Sequence, residues 1–88
     1  MQKYNEMIND VELVKKRVYA VEDFLKKEQR ECPETRKFEK FLIKFDYFLE
    51  ALNFYDEDLE LFEEEYESLR DKLFELIQKL EKFENIFL

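Results

Sequence analysis

The chain has 88 residues, of which 45% are hydrophobic, and its formal net charge is −8. That length allows one domain, and the ten Phe and five Tyr side chains supply enough apolar surface for a core, which excludes an intrinsically disordered protein. The sequence contains no Gly and no His, which excludes Gly-rich phosphate loops, catalytic triads and metal sites built on imidazole. We therefore expect no enzymatic activity, no cofactor and no metal.

The cysteine content and the hydropathy pattern bear on the cellular compartment. Cys32 is the single cysteine, so no intrachain disulfide can form, and a lone thiol is typical of a reducing interior. No apolar run approaches the roughly 20 residues of a membrane span. Residues 1–6 lack the apolar segment of a signal peptide. These features predict a cytoplasmic protein without membrane contact, in which Cys32 is a small packing residue.

The first segment predicts an amphipathic helix over residues 2–31. Its end is marked by Pro33, because proline fits the first turn of a helix but disfavours a helical conformation in the residue before it. The heptad phase also breaks at this point, which indicates that a second helix begins near residue 34. Apolar residues recur in the first segment at steps of three and four: Tyr4, Met7, Val11, Val14, Val18, Val21 and Leu25.

Two further helices are predicted, over residues 34–53 and 56–87, with Asp56 as the N-cap of the last one. The second helix is apolar over more than half of its circumference, which is typical of a helix that contacts neighbours on two sides. Its seam consists of Phe38, Phe41, Phe45, Phe48 and Leu52. The seam of the third helix consists of Leu59, Phe62, Tyr66, Leu69, Leu73, Leu76, Leu80, Phe83 and Phe87.

Together the segments predict an all-α fold, an antiparallel three-helix bundle with heptad-like packing. The alternative is a helical hairpin in which residues 34–88 form one long helix of a dimeric coiled coil, because the seams of the second and third segments share one phase. Residues 53–56 favour the bundle, since Asn, Phe, Tyr and Asp are poor helix formers and Asp is a good cap.

The acidic residues are unevenly distributed. Ten of them, and not one Lys or Arg, lie between Phe45 and Glu67, whereas residues 15–44 carry an excess of basic side chains. In an antiparallel bundle these acidic residues gather at one end, together with the N-terminus of the first helix. Acidic faces often only keep a bundle soluble, but the lack of compensating bases favours binding of a basic partner protein. The predicted acidic surface consists of Asp56, Glu57, Asp58, Glu60, Glu64 and Glu67.

More large apolar residues lie near the C-terminal end than a monomeric three-helix bundle is expected to bury. We predict that they contact a second copy of the chain in a homodimer, or a partner protein. The residues are Phe74, Ile77, Ile86, Phe87 and Leu88.

These patterns favour one class of function. We expect a small acidic protein–protein interaction module, such as an adaptor, an inhibitor or a chaperone-like protein. A more specific version of this hypothesis is a protein that mimics nucleic acid. The alternative is a structural coiled-coil oligomer. Direct binding of nucleic acid is not expected, because a chain with a net charge of −8 repels phosphate.

Overall fold

The computed structural model describes residues 2–28 and 32–88, and in these ranges it contains α1 (Gln2–Glu28), α2 (Pro33–Tyr55) and α3 (Leu59–Phe87). Both α1 and α2 pack against α3. The all-α three-helix bundle is therefore confirmed, and the alternative of one continuous helix after residue 34 is wrong, because a turn follows Tyr55. The bundle measures 44 × 19 × 18 Å, so its long dimension equals the length of α3 at about 1.5 Å per residue.

The helix ends differ from the predicted ones by a few residues. α2 begins at Pro33 and continues to Tyr55, whereas residues 34–53 were predicted. Proline fits this first position because the N–H that it lacks would have no partner inside the helix. α3 begins at Leu59 and not at residue 56. The predicted end of the first helix, residue 31, lies outside the described residues.

The turn over residues 56–58 is a tightened continuation of α2. Asp56 keeps a helical backbone, with φ −58° and ψ −31°. The backbone N–H groups of residues 56, 57 and 58 donate to the carbonyls of Asn53, Phe54 and Tyr55, over 3.2, 3.2 and 3.1 Å. These bonds satisfy three of the carbonyls that the end of a helix leaves without a partner. A chain without glycine thus closes the turn by tightening its last helical turn.

Asp58 caps the N-terminus of α3. Its Oδ1 accepts a hydrogen bond from the backbone N–H of Leu61 at 3.0 Å, and its carbonyl accepts one from the N–H of Phe62 at 3.1 Å. The prediction of Asp56 as the cap is wrong, because the tightened turn carries the chain two residues further before α3 begins. Asp56 instead lies at the C-terminal end of α2.

The capping role of Asp58 gives a stability prediction. We expect Asp58→Ala to lower the free energy of unfolding by about 1 kcal/mol, which lowers Tm by about 4–8 °C in a domain of this size. Asp56→Ala is the matched control, since it removes the same charge without removing a capping bond, and we expect a change below about 0.5 kcal/mol. Urea unfolding measures both values, and equal losses in the two variants would contradict the assignment of the cap.

The core of the described region is entirely apolar, and it confirms the predicted seams. Every seam residue of α1 and α2 is buried, while Leu59, Tyr66 and Phe83 of α3 are partly buried. α1 contributes mostly valines to this core and α2 mostly phenylalanines. The guanidinium of Arg17 donates two hydrogen bonds to the carboxylate of Glu84, which ties α1 to the C-terminal half of α3. That bond to Glu84 raises the pKa of Arg17.

Candidate functional site

All three helices meet at the end of the bundle that contains the α2–α3 turn. The Tyr4 hydroxyl of α1 donates a hydrogen bond to the Leu52 carbonyl of α2 at 3.1 Å. Its ring packs edge to face on Phe62 of α3, with 5.0 Å between the centroids. Tyr55 packs on the same Phe62 ring at 6.2 Å. These contacts hold the start of α1, the end of α2 and the start of α3 in one place, and with them the acidic residues that these segments carry.

The hydrogen bond from Tyr4 completes the end of α2. The N–H of Asp56 donates to Asn53, and the carbonyl of Leu52 accepts the Tyr4 hydroxyl, so the last carbonyls of the helix are satisfied. Burial, and secondly the negative charge of Asp56, raise the pKa of Tyr4 above its usual value. The hydroxyl therefore remains a neutral donor well into the alkaline range.

The structure brings the whole predicted acidic surface to this end, which we call the acidic end. All of its members are exposed, and among contacts between described residues only the side chain of Asp58 is engaged, through its cap on α3. Within residues 2–28 and 32–88, none of these carboxylates lies within 4.0 Å of a Lys or Arg nitrogen. The acidic end consists of Asp56, Glu57, Asp58, Glu60, Glu64 and Glu67. Its carboxylates therefore face solvent and take part in none of the ion pairs of the described region.

Tyr66 forms a border of the acidic end. Lys3 Nζ lies 5.1 Å from the centroid of its ring, and the guanidinium carbon of Arg70 lies 5.9 Å from the same centroid. Cation–π attraction holds both charges over the aromatic ring. The ring of Tyr66 therefore lies where the acidic residues of α3 adjoin the positive charges of Lys3 and Arg70.

The predicted apolar contact residues near the C-terminal end divide into two groups. Phe74, Ile86 and Leu88 are 63%, 51% and 65% exposed. Ile77 is partly buried against the core. Phe87 is only 6% exposed, and its ring contacts Phe24 of α1. In the single chain the Phe87 side chain is thus buried in the core, whereas the three exposed side chains remain available for contact with another molecule.

A groove between α2 and α3, away from the turn, was not singled out by the sequence analysis. Five lysines line it, Lys37, Lys40 and Lys44 from α2 and Lys79 and Lys82 from α3, around a cavity of about 370 Å³. A second cavity of about 330 Å³ continues it toward the turn and adds Lys72. We call the two cavities together the lysine groove. A signal for it existed in the sequence, since the lysines of α2 recur at steps of three and four beside the apolar seam.

Apolar side chains also line the lysine groove. Phe41, Phe83 and Ile86 line its larger cavity, and Tyr47, which is 68% exposed, lines the smaller one. Positive charge and apolar surface therefore occur side by side along the contact of two helices. The bundle thus presents six exposed carboxylates at the acidic end and six lysines along this groove.

The described part of the chain has neither a helix that could span a membrane nor a cluster that could hold a metal ion. None of its helices combines the length and the apolar character needed to cross a membrane. No group of three or more Cys, Asp or Glu side chains in the described ranges is placed to hold a metal ion. Cys32 is partly buried, packs against the core and lies 3.2 Å from the Thr35 hydroxyl, as a small packing residue would.

Comparison of the chain with protein-family models, with curated proteins and with solved structures found no match.

Proposed function

We propose that the protein is a small interaction module that binds a basic surface of a partner protein through its acidic end. The observation that carries this proposal is the gathering of exposed carboxylates at the end of the bundle where Tyr4 connects all three helices, with no ion pair to any of them among the described residues. A fixed patch of one sign raises the rate of encounter with a surface of the opposite sign. The lone thiol of Cys32 supports a reducing compartment such as the cytoplasm.

The acidic end also offers an apolar contact. Phe54 is 62% exposed, and its ring lies 5.8 Å from that of Tyr55, which in turn packs on Phe62. An aromatic side chain held from behind in this way is the kind of anchor that supplies most of the affinity in a protein interface. Steering by charge and anchoring by Phe54 together suit an adaptor, an inhibitor or a chaperone-like protein.

A narrower form of the proposal is mimicry of nucleic acid. Glu60, Glu64 and Glu67 form an i, i+4, i+7 row on α3 and are exposed. Such a row presents one negative charge about every 5 Å along the helix axis, a wider spacing than the roughly 3.4 Å of a nucleic-acid strand but a regular line of charges of the same sign. The partner would then be a protein with a phosphate-binding surface.

The test combines capture of the partner with a charge-neutral variant. Affinity capture from the source cell, followed by mass spectrometry, identifies the partner, and calorimetry measures its affinity. We expect Glu60→Gln/Glu64→Gln to weaken the complex about tenfold, because each exposed ion pair contributes up to about 1 kcal/mol. Glu28→Gln/Glu39→Gln is the matched control, since it removes two exposed charges outside the acidic end, and its affinity should remain unchanged.

The second part of this test measures how the affinity of the complex depends on salt concentration. Raising the ionic strength from about 0.05 to about 0.5 M shortens the range of electrostatic attraction severalfold, and the wild-type complex should weaken accordingly. A complex that is insensitive to salt, or one that the control variant weakens equally, would refute the proposal.

The second candidate is a structural homodimer. Phe74 and Leu88 favour it, because both are large, apolar and mostly exposed in the single chain. Light scattering distinguishes the two candidates. A mass of 11.1 kDa at all concentrations would contradict the homodimer and favour the interaction module. Twice that mass would support the homodimer.

A further inference from the structure

Lysines of two neighbouring helices line the lysine groove together. Lys40 and Lys44 of α2 line the same cavity as Lys79 of α3. In antiparallel helix pairs, the positions that flank the apolar seam commonly carry opposite charges that pair across it. In the described ranges, no groove lysine lies within 4.0 Å of a carboxylate, and the ion pairs present use Lys15, Arg17, Lys26 and Lys27. Like charges so placed repel each other, so a negatively charged ligand would lower the free energy of this surface.

The apolar lining restricts what this ligand can be. Phe83 is partly buried and Ile86 is 51% exposed, and both line the larger cavity beside the lysines. Tyr47 extends the apolar surface into the smaller cavity. A ligand that carries charge alone would leave these side chains in water. The matching ligand has an apolar stripe flanked by negative charges.

The shape of the groove agrees with a helical ligand. From Lys37, the first lysine of the groove, to Tyr55, the α2 residues that line its two cavities extend over about 27 Å along the helix axis. A groove between two antiparallel helices accepts a third helix whose apolar side chains enter at steps of three and four. The groove therefore has room for about five turns of a helix from another molecule.

We propose that the lysine groove binds an acidic amphipathic helix of a partner protein, which then packs on the bundle as a fourth helix. The apolar stripe of that helix covers Ile86, Phe83 and Tyr47, and its acidic side chains pair with the lysines on both walls. The groove approaches the acidic end only at Tyr55, and this proposal does not depend on the function proposed for the acidic end.

Two other occupants fit the groove less well. A nucleic acid carries a phosphate at every nucleotide and would bring some of them close to Glu34 and Glu75, which line the same groove, whereas a helix can place uncharged side chains opposite these two carboxylates. A second copy would offer its acidic stretch on α3, but the apolar side of that stretch is packed in its own core through Phe62 and Leu69. Its acidic side chains alone would leave the apolar lining of the groove uncovered.

The test uses a synthetic helical peptide as the probe. The peptide has about 18 residues, enough for the length of the groove, with Leu at steps of three and four and Glu on both sides of that stripe. Fluorescence anisotropy of the labelled peptide measures its binding to the full chain. We expect binding to the wild type, and a loss of at least tenfold when every Glu of the peptide is replaced by Gln, because the charge pairing is then absent.

Matched variants of the protein locate the site. We expect Lys40→Glu/Lys82→Glu to weaken peptide binding at least tenfold, since two pairings become repulsions. Lys16→Glu/Lys26→Glu changes the net charge equally but outside the groove, and we expect a loss below about threefold. Removing the repulsion should keep the Tm of the groove variant at or above the wild-type value. If that variant does not fold, Lys40→Gln/Lys82→Gln replaces it, with a smaller loss of affinity in the same direction.

Several outcomes would overturn the proposal. These are no binding of the peptide to the wild type, equal losses in the groove variant and its control, equal binding of the Gln peptide, or tighter binding of a single-stranded oligonucleotide than of the peptide. The acidic-end variant Glu60→Gln/Glu64→Gln should bind the peptide as the wild type does. A failure at the groove is thereby distinguished from a failure at the acidic end.

Discussion

Replacement of Phe62 by Ala is expected to lower the free energy of unfolding by about 3–5 kcal/mol. Phe62 has no exposed surface, and its ring contacts those of Tyr4, Tyr55 and Tyr66 at 5.0, 6.2 and 5.8 Å. The substitution leaves a cavity where all three helices meet and removes three edge-to-face contacts. A domain of this length has a total stability of about 4–13 kcal/mol, so the variant loses a large part of it.

Phe74→Ala is the matched control for Phe62→Ala. Both residues are phenylalanines of α3, but Phe74 is 63% exposed, and we expect its replacement to change the stability by less than about 0.5 kcal/mol. Urea unfolding followed by far-ultraviolet circular dichroism measures both variants. It should be done at low protein concentration, so that self-association through Phe74 does not contribute. Comparable losses in the two variants would show that the junction is not packed as described.

The second large effect is expected for Tyr4→Phe. This substitution keeps the ring that packs on Phe62 but removes the donor to the Leu52 carbonyl. A buried carbonyl that loses its partner costs about 1–3 kcal/mol, and we expect a loss of stability in that range near neutral pH. Tyr19→Phe removes an exposed hydroxyl of α1 and should leave the stability unchanged.

The effect of Tyr4→Phe depends on pH in a defined direction. The pKa of Tyr4 is raised in the folded state by burial and by Asp56, while that of an unfolded tyrosine is about 10. The contribution of Tyr4 to stability is therefore complete below pH of about 10 and is lost as the pH rises through the higher folded value. Equilibrium unfolding of both proteins over this range should show a steeper alkaline decline in the wild type than in Tyr4→Phe. Parallel profiles would contradict the buried position of the Tyr4 hydroxyl.

The sequence alone determined the three helices and most of the core. Spacing at steps of three and four places a set of residues on one side of a helix whatever surrounds it, and all the seam residues of α1 and α2 are buried as this rule requires. The gathering of acidic residues also followed from the sequence, because an antiparallel bundle brings the α2–α3 turn next to the start of α1. Pro33 marked the boundary between α1 and α2 for a purely local reason.

The tertiary structure alone decided which polar side chains act together. Asp56 and Asp58 are equally good capping residues by type, and only the tightened turn at the end of α2 makes Asp58 the cap of α3. The Tyr4 hydroxyl of α1 satisfies the Leu52 carbonyl at this end of α2. The lysine groove likewise depends on which flanks of α2 and α3 face each other. Apolar spacing is a property of one helix, and it can be read from one segment. Caps at tight turns and charges across a groove depend on contacts between segments, which local sequence does not encode.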